Sequence, residues 1–341
     1  MVIIRNEKEL ETILTTPSER LLTDIVKLKG DTIILGAAGK MGPSLTVLLK
    51  KAKVLAGHPG KVFAASRFSN PENQSYLETN GIKTYAGDLL DRKFVAGLPN
   101  AENVIFLAGQ KFGTSGNQAF TWAMNALLPG YICEKYTDSN IVAFSTGNVY
   151  PLMPITSAGA TEETPTGPIG EYAQSCLGRE RIFEYFSLTH QTKVLIFRLN
   201  YALDLRYGVL NDIGQKVWQD KPVDLSMGHV NVIWQGDANE FAIRSLLHCT
   251  SPANHLNVTG PNVLSVQSLA EKIGVFLGKK PTFSGNPQPT ALLNDASKSF
   301  KLFGQPQVSV DQMCEWTAHW IKEGGKLLHK PTHFETRDGQ F

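Results

Sequence analysis

Residues 31–35, DTIIL, form a short and almost unbroken apolar run. They lead directly into Gly36-Ala37-Ala38-Gly39-Lys40-Met41-Gly42 and then into helical periodicity over residues 44–55. An apolar run of this length suits a strand buried on both faces of a parallel sheet. Three glycines at GxxGxxG spacing suit a tight turn between that strand and a helix, with backbone left free to approach a ligand. A helix starting there offers unsatisfied N–H groups and a partial positive charge, which attract phosphate. The order of strand, glycine turn and helix predicts a dinucleotide with its pyrophosphate over residues 39–41, contacted by Gly36, Gly39, Lys40, Met41 and Gly42.

The rest of the chain repeats that alternation. Further strands are expected at 62–66, 84–85, 104–108, 141–144 and 194–199, with helices such as 44–55 and 119–135 between them. Strands alternating with helices imply right-handed crossovers. The expected fold class is α/β, a Rossmann-type doubly wound parallel sheet with a smaller C-terminal substrate lobe. Before it, residues 1–30 read as an extension of two short amphipathic helices, at 7–14 and 20–28, packed on the main domain or on a partner. The dinucleotide-binding domain is expected over 31–200. Residues 201–341 are mostly a substrate-binding lobe, with returns to the sheet left open. There the clearest helix carries Val266, Leu269, Ile273 and Leu277 on one face, with Ser265 as N-cap and Gly278 as its stop.

Composition narrows the partners. Lys and Arg total 33 against 31 for Asp and Glu, and no basic stripe stands out, so nucleic acid is not an expected partner. Four scattered cysteines without a CxxC pair fit thiols in a reducing compartment, and no metal site is expected. The first residues turn charged after four apolar positions, and no segment has the length of a membrane span. A soluble, cytoplasmic protein without a membrane partner is the resulting expectation.

The end of the second strand bears on the cofactor. A carboxylate there would bind the ribose 2′-hydroxyl of NAD, whereas arginine suits the 2′-phosphate of NADP. The chain reads Ala64-Ala65-Ser66-Arg67-Phe68. Ser66 and Arg67 favour NADP, with NAD the alternative.

Further motifs follow in order: Gly87-Asp88-Leu89, Leu107-Ala108-Gly109, Asn125, Phe144-Ser145-Thr146-Gly147-Asn148-Val149-Tyr150, Thr161-Glu162-Glu163-Thr164-Pro165, and Tyr172-Ala173-Gln174-Ser175 leading to Glu180. With the glycine turn, this ordered set resembles the extended short-chain dehydrogenase/reductase family of nucleotide-sugar epimerases and dehydratases, over about residues 31–325. The resemblance implies that Asp88 and Leu89 border the adenine, that Ala108 and Gly109 line the cofactor, and that Asn125 lies behind the active site. It implies that Tyr172 is the catalytic tyrosine and Thr146 the catalytic hydroxyl beside it. It also implies pairing into a homodimer through helices around 119–135 and 172–186.

Two departures stand out. The family has Lys four residues after the tyrosine, and this chain has Cys176. One helical turn places Cys176 on the face of Tyr172, but a neutral thiol supplies no positive charge. An unassisted tyrosine at neutral pH is about a thousandfold short of tyrosinate, roughly 4 kcal/mol. Arg179, two turns from Tyr172, is not expected to compensate, whereas Lys111, on the loop after the fourth strand, can enter from another direction. The second departure is Arg198-Leu199-Asn200-Tyr201, where Tyr201 stands at the family's Asn. Lys111, Asn148, Asn200 and Tyr201 are the candidate substrate contacts. The expected activity is NAD(P)-dependent oxidation, reduction or epimerisation of a sugar or sugar derivative by hydride transfer. A cofactor-binding sensor or scaffold without turnover is the alternative.

Overall fold

The computed structural model describes residues 3–111, 116–330 and 332–339. Its centre is a seven-stranded parallel sheet, built from β1 (Thr32–Leu35), β2 (Val62–Ser66), β3 (Lys83–Ala86), β4 (Asn103–Phe106), β5 (Asn140–Thr146), β6 (Lys193–Leu199) and β7 (Asn254–Val258). The strand order is β3-β2-β1-β4-β5-β6-β7. The order reverses between β1 and β4, so the crevice where ligands settle in this kind of sheet opens at their carboxyl ends. The fold is the doubly wound α/β class expected from the sequence, and β7 adds a seventh strand from the far side of residue 200.

Alternation along the strands sorts the two faces. Ile34 and Ile105 pack on one side, while Ile33, Leu35, Val104 and Phe106 pack on the other. Helix α1 (Glu7–Leu14), α2 (Glu19–Ile25) and α3 (Gly42–Leu55) precede β2 or flank it, and α4 (Pro71–Thr79) and α5 (Arg92–Gly97) make the next crossovers. The stretch expected as one helix at 119–135 is instead three pieces: α6 (Gln118–Trp122), a π-helical turn at Ala123–Leu127, and α7 (Leu128–Lys135). Pro129 lies just past that turn and has no N–H to give to an α-helical ladder, which explains the local change of period. Helix α8 (Gly170–His190) covers the same face as α7.

Beyond β6 the chain builds a second core. Helices α9 (Val209–Trp218), α11 (Val266–Leu277) and α13 (Val310–Lys322) pack together, with α10 (Gln235–Ser245) and α12 (Ser297–Phe303) facing the sheet side instead. Ser265 caps α11 through Ser268 N–H, and Gly278 ends it at φ +72°, as its sequence signals required. The N-terminal helices serve both cores. Leu10 and Leu14 of α1 sit in the second core, Leu21 and Ile25 of α2 in the first. Charged and polar contacts hold them: Arg206 to Glu11, Ser18 to Glu240, and Arg244 to Asp24. Among the described residues no helix is long and apolar enough to cross a membrane.

Candidate active site

A cavity of about 250 Å³ opens at the carboxyl ends of the strands. Its floor is the glycine turn. Gly36 has φ +88°, and a methyl there would come within 2.6 Å of Ala108 N; one on Gly42 would come within 2.3 Å of Ala37 O. Only glycine lets the strand, the turn and the next loop pack this closely. Gly39 differs: a methyl on it would meet nothing nearer than Gly36 O at 3.3 Å, so its open side faces the cavity it lines. No side chain caps the start of α3, whose N-cap is Met41. Glycines that only backbone can fill, opposite an uncapped helix N-terminus, fit a pyrophosphate.

Lys40 extends from this turn toward the second core. Its ammonium donates to Ala202 O at 3.1 Å and lies 3.7 Å from the centre of the Tyr207 ring. Burial lowers its pKa to about 7, with Asp204 and Asp212 opposing the shift and Lys111 adding to it. The other residues assigned to the cofactor are spread further. Leu107 and Gly109 line the cavity, and Ala108 packs under Gly36. Ser66 ends β2 half-buried, and exposed Arg67 lies 6.0 Å from the Phe120 ring. Asp88 is exposed and accepts from Leu90 N–H, while Leu89 is buried in the core. These positions are outside the cavity wall.

At the opposite wall, β5 delivers Thr146 and α8 delivers Tyr172. The Tyr172 side chain faces the Cys176 thiol and the Thr146 hydroxyl, both of which act on its acidity. Thr146 Oγ1 donates to Asn148 Oδ1 at 3.1 Å and accepts from Asn148 N–H at 3.2 Å. Tyr172, Thr146, Asn148, Asn200 and Tyr201 all line the cavity; Cys176 is buried behind them with Val149, Tyr150 and Ala160. Burial drives the Tyr172 pKa well above its usual value, the Cys176 side reinforces this, and Arg179 partly opposes it. Burial likewise raises the Cys176 thiol, so it stays neutral.

Arg179, not expected to compensate for Cys176, lines the cavity, and its charge only partly opposes the effect of burial on Tyr172 and Cys176. Residues seven apart share a helix face, which turns Arg179 to the same side as Tyr172. Arg179 Nη1 donates to Phe144 O at 2.7 Å and Nη2 to Asn125 Oδ1 at 2.6 Å. Asn125 sits on the π turn, fully buried behind Gly109. Its Nδ2 donates to Gln110 O and Ser175 Oγ, and its Oδ1 also accepts from Gln110 N–H. Asn125 thus ties the loop after β4 to α8. Lys111 on that loop lies 5.9 Å from the Tyr172 ring centre and lines the cavity. Burial lowers its pKa to about 8, opposed by Cys176 and Asp212.

Sequence reasoning also missed Tyr207, Gly208 and Thr332, which line the cavity. They come from irregular segments with no periodicity, and nothing in a single sequence brings residue 332 to residue 40. Asp237, in the first turn of α10, accepts from Val308 N–H at 3.1 Å, with burial raising its pKa to about 6. The one grouping of metal-ligating types among the described residues, Glu180, Glu184 and His255, lies apart from the cavity wall. Its oxygens are already engaged: Glu180 by Arg198 and Ser145, Glu184 by Arg181 and His255.

Strand order and cavity together define a Rossmann-type α/β protein with a ligand cleft at the switch point of its sheet. The chain belongs to the NAD dependent epimerase/dehydratase family, whose model matches residues 32–202. No curated protein sequence matches it. Among solved structures it is similar to UDP-glucuronic acid 4-epimerase from Bacillus cereus, in complex with UDP-4-deoxy-4-fluoro-glucuronic acid and NAD. That match has 19% identity and a TM-score of 0.70, over 86% of this chain and 99% of that one. It is also similar to dTDP-glucose 4,6-dehydratase from Bacillus anthracis in complex with NAD, at 16% identity and TM-score 0.72, over 86% and 97%. UDP-glucose 4-epimerase from Thermotoga maritima, with UDP-glucose, matches at 17% and 0.70, over 86% and 99%. At such identities the likeness is one of fold.

Proposed function

We propose that the protein is an NAD(P)-dependent oxidoreductase or epimerase acting on a sugar or sugar derivative by hydride transfer. The observation that carries this reading is Tyr172 beside Thr146 in a cavity whose other wall is the glycine turn. Gly36, Gly39, Met41 and Gly42 would hold the pyrophosphate, Leu107 to Gly109 the face of the cofactor, and Ser66 with Arg67 a 2′-phosphate. The nicotinamide group supplies a hydride acceptor or donor when bound. Thr146 orients the substrate oxygen, and Tyr172 exchanges the proton that must leave or reach that oxygen. With its pKa raised, Tyr172 stays a neutral hydroxyl at pH 7. Oxidation, reduction and epimerisation would all use this site, with Lys111 and Arg179 supplying positive charge near the neutral Cys176. NADP is the preferred cofactor because no carboxylate stands at the end of β2.

A second reading has its own observation. Cys176 is neutral and buried where the family carries lysine, which suits a cofactor-binding sensor without turnover. The test is incubation with NADPH or NADH and a panel of keto-sugars, following loss of the reduced nicotinamide absorbance. Turnover that rises in a Cys176→Lys variant supports a weakened enzyme. Bound cofactor with no turnover in either protein supports the sensor. Exposed Leu127, Tyr185 and Leu188 on the 118–135 and 170–190 stretches support pairing of two copies there, which sedimentation tests.

A further inference from the structure

Among the described residues three arginines are buried: Arg179, Arg198 and Arg244, at 6%, 3% and 7% exposure. Two of them lie against carboxylates, Arg198 Nη2 at 2.7 Å from Glu180 and Arg244 Nε at 2.7 Å from Asp24. Arg206, less deeply placed, is held in the same way by Asp204 and Glu11. Arg179 is the exception, and among the described residues it forms no ion pair. Its Nε, Nη1 and Nη2 donate to Asn125 O, Phe144 O and Asn125 Oδ1, all neutral oxygens. A guanidinium offers five N–H groups, so these bonds do not use them all. Glu180, the next residue, spends its carboxylate on Arg198 and Ser145. A charge withdrawn from water ordinarily meets an opposite charge inside the fold. Arg179 lines the cavity instead.

Lys111 adds a second cation at the same end, 5.9 Å from the Tyr172 ring centre. Asn125 ties the two together: its Oδ1 accepts from Arg179 Nη2 and from the N–H of Gln110, the residue before Lys111. Among the described residues no Asp or Glu lines the cavity. Asp212, whose charge acts on Lys111, stands outside the wall and accepts from Thr332. The cofactor does not bring the opposite charge to this end. Its pyrophosphate belongs at the glycine turn, beside Lys40, and an oxidised nicotinamide ring is itself a cation.

We infer that Arg179 and Lys111 form an anion subsite at the tyrosine end of the cavity, so that the substrate is an acidic sugar, one bearing a carboxylate or a phosphate ester. The inference rests on the oxidoreductase reading of the same cavity and names the substrate class for it. A guanidinium and an ammonium both donate charge-assisted hydrogen bonds to such oxygens, and the guanidinium is fixed in place before the ligand arrives. The acidic group supplies the counter-charge that the wall lacks and draws the sugar toward Tyr172.

The test is calorimetry on the full chain, with and without NADPH, using glucuronate, glucose 6-phosphate and glucose as probes. The NADPH-loaded protein is expected to bind an acidic probe at least tenfold more tightly than glucose. Tighter glucuronate assigns the subsite to a carboxylate, and tighter glucose 6-phosphate assigns it to a phosphate ester. Arg179→Met and Lys111→Met should each erase that advantage while leaving glucose affinity unchanged. Thermal unfolding checks that Arg179→Met folds; if it does not, Lys111→Met, a change on a loop, decides alone. Equal binding of all three probes, no binding of either acid, or an advantage that survives in Lys111→Met overturns the inference. Acid binding that NADPH abolishes overturns it as well, because the two cations then serve the cofactor. Failure of NADPH to bind sinks the oxidoreductase reading by itself, whereas the preference for acids is still read on the cofactor-free chain.

Discussion

The two walls of the cavity are built on different principles. At the glycine turn, backbone meets backbone, and residues 36–42 are consecutive in the chain. At the tyrosine wall, side chains from β5, α8, the loop after β4, the segment after β6 and residue 332 converge, among them the cations Lys111 and Arg179. The first wall tolerates almost no variation because atoms would overlap. The second wall is made of side chains from separate segments, so one group there can change without an overlap of backbone atoms. A family motif is therefore a strict guide to the cofactor end and a loose one to the chemical end.

The sharpest way to break this contrast is at the glycines. Gly39→Leu should reduce cofactor affinity by about a thousandfold, roughly 4 kcal/mol, because its side chain enters the cavity. The same variant should lose less melting temperature than Gly36→Leu, since its first carbon meets only Gly36 O, at 3.3 Å, and that oxygen has to shift by only a few tenths of an ångström. Gly36→Leu should lower the unfolding temperature as well, because φ +88° and the nearby Ala108 backbone forbid a side chain. Calorimetry and thermal melts on both variants decide it; equal melting losses would erase the distinction.

Next in size is the tyrosine wall. Tyr172→Phe keeps the ring and removes the proton, so turnover should fall about a hundredfold or more with cofactor affinity unchanged. If turnover persists, Lys111 becomes the proton donor to examine. A smaller effect is expected at the rim: Arg67→Ala should cost NADPH about tenfold in affinity and NADH almost nothing. Equal affinities in the parent would remove the basis for preferring NADP.

The smallest effect concerns the buried lysines. Lys40 at about 7 and Lys111 at about 8 lie below the ordinary lysine value of 10.5. The unfolded chain therefore holds protons that the folded chain has released between those values and about 10.5. Stability of the cofactor-free protein should rise with pH through that window, since the unfolded state binds more protons. Lys40→Met should remove part of the slope. Urea unfolding at about pH 7 and about pH 9 measures it, and an unchanged slope in the variant would mean Lys40 is not desolvated.

What the sequence disclosed follows the same division. The strands were legible because continuous apolar runs have one use in a parallel sheet, and α11 was legible because Ser265 and Gly278 bracket a single apolar face. The glycine turn, Thr146 and Tyr172 were legible as ordered local motifs. The π turn at Asn125 was not, because its period differs from α-helix by one residue in five. Strand β7 was hidden among the Pro and Asn residues around it. Arg179 is legible only as a helical neighbour of Tyr172, since its place in the cavity depends on Phe144 and Asn125 from two other segments. Tyr207 and Thr332 had no local sign at all, since their position depends on where α9 and the 326–339 segment pack.

The N-terminal helices carry a consequence for how the chain is made. Leu21 and Ile25 of α2 pack with Leu45 and Leu48 of α3, but the ion pairs to Arg206 and Arg244 and the Ser18–Glu240 hydrogen bond reach about two hundred residues along the chain. As the polypeptide emerges from the ribosome, Leu10 and Leu14 must wait for the second core, whose other buried members, Ile4 apart, start at Leu203. Pairings of such high sequence separation form late and slowly. Helix α1 is therefore among the last elements to find its place, with its apolar face uncovered in the interval.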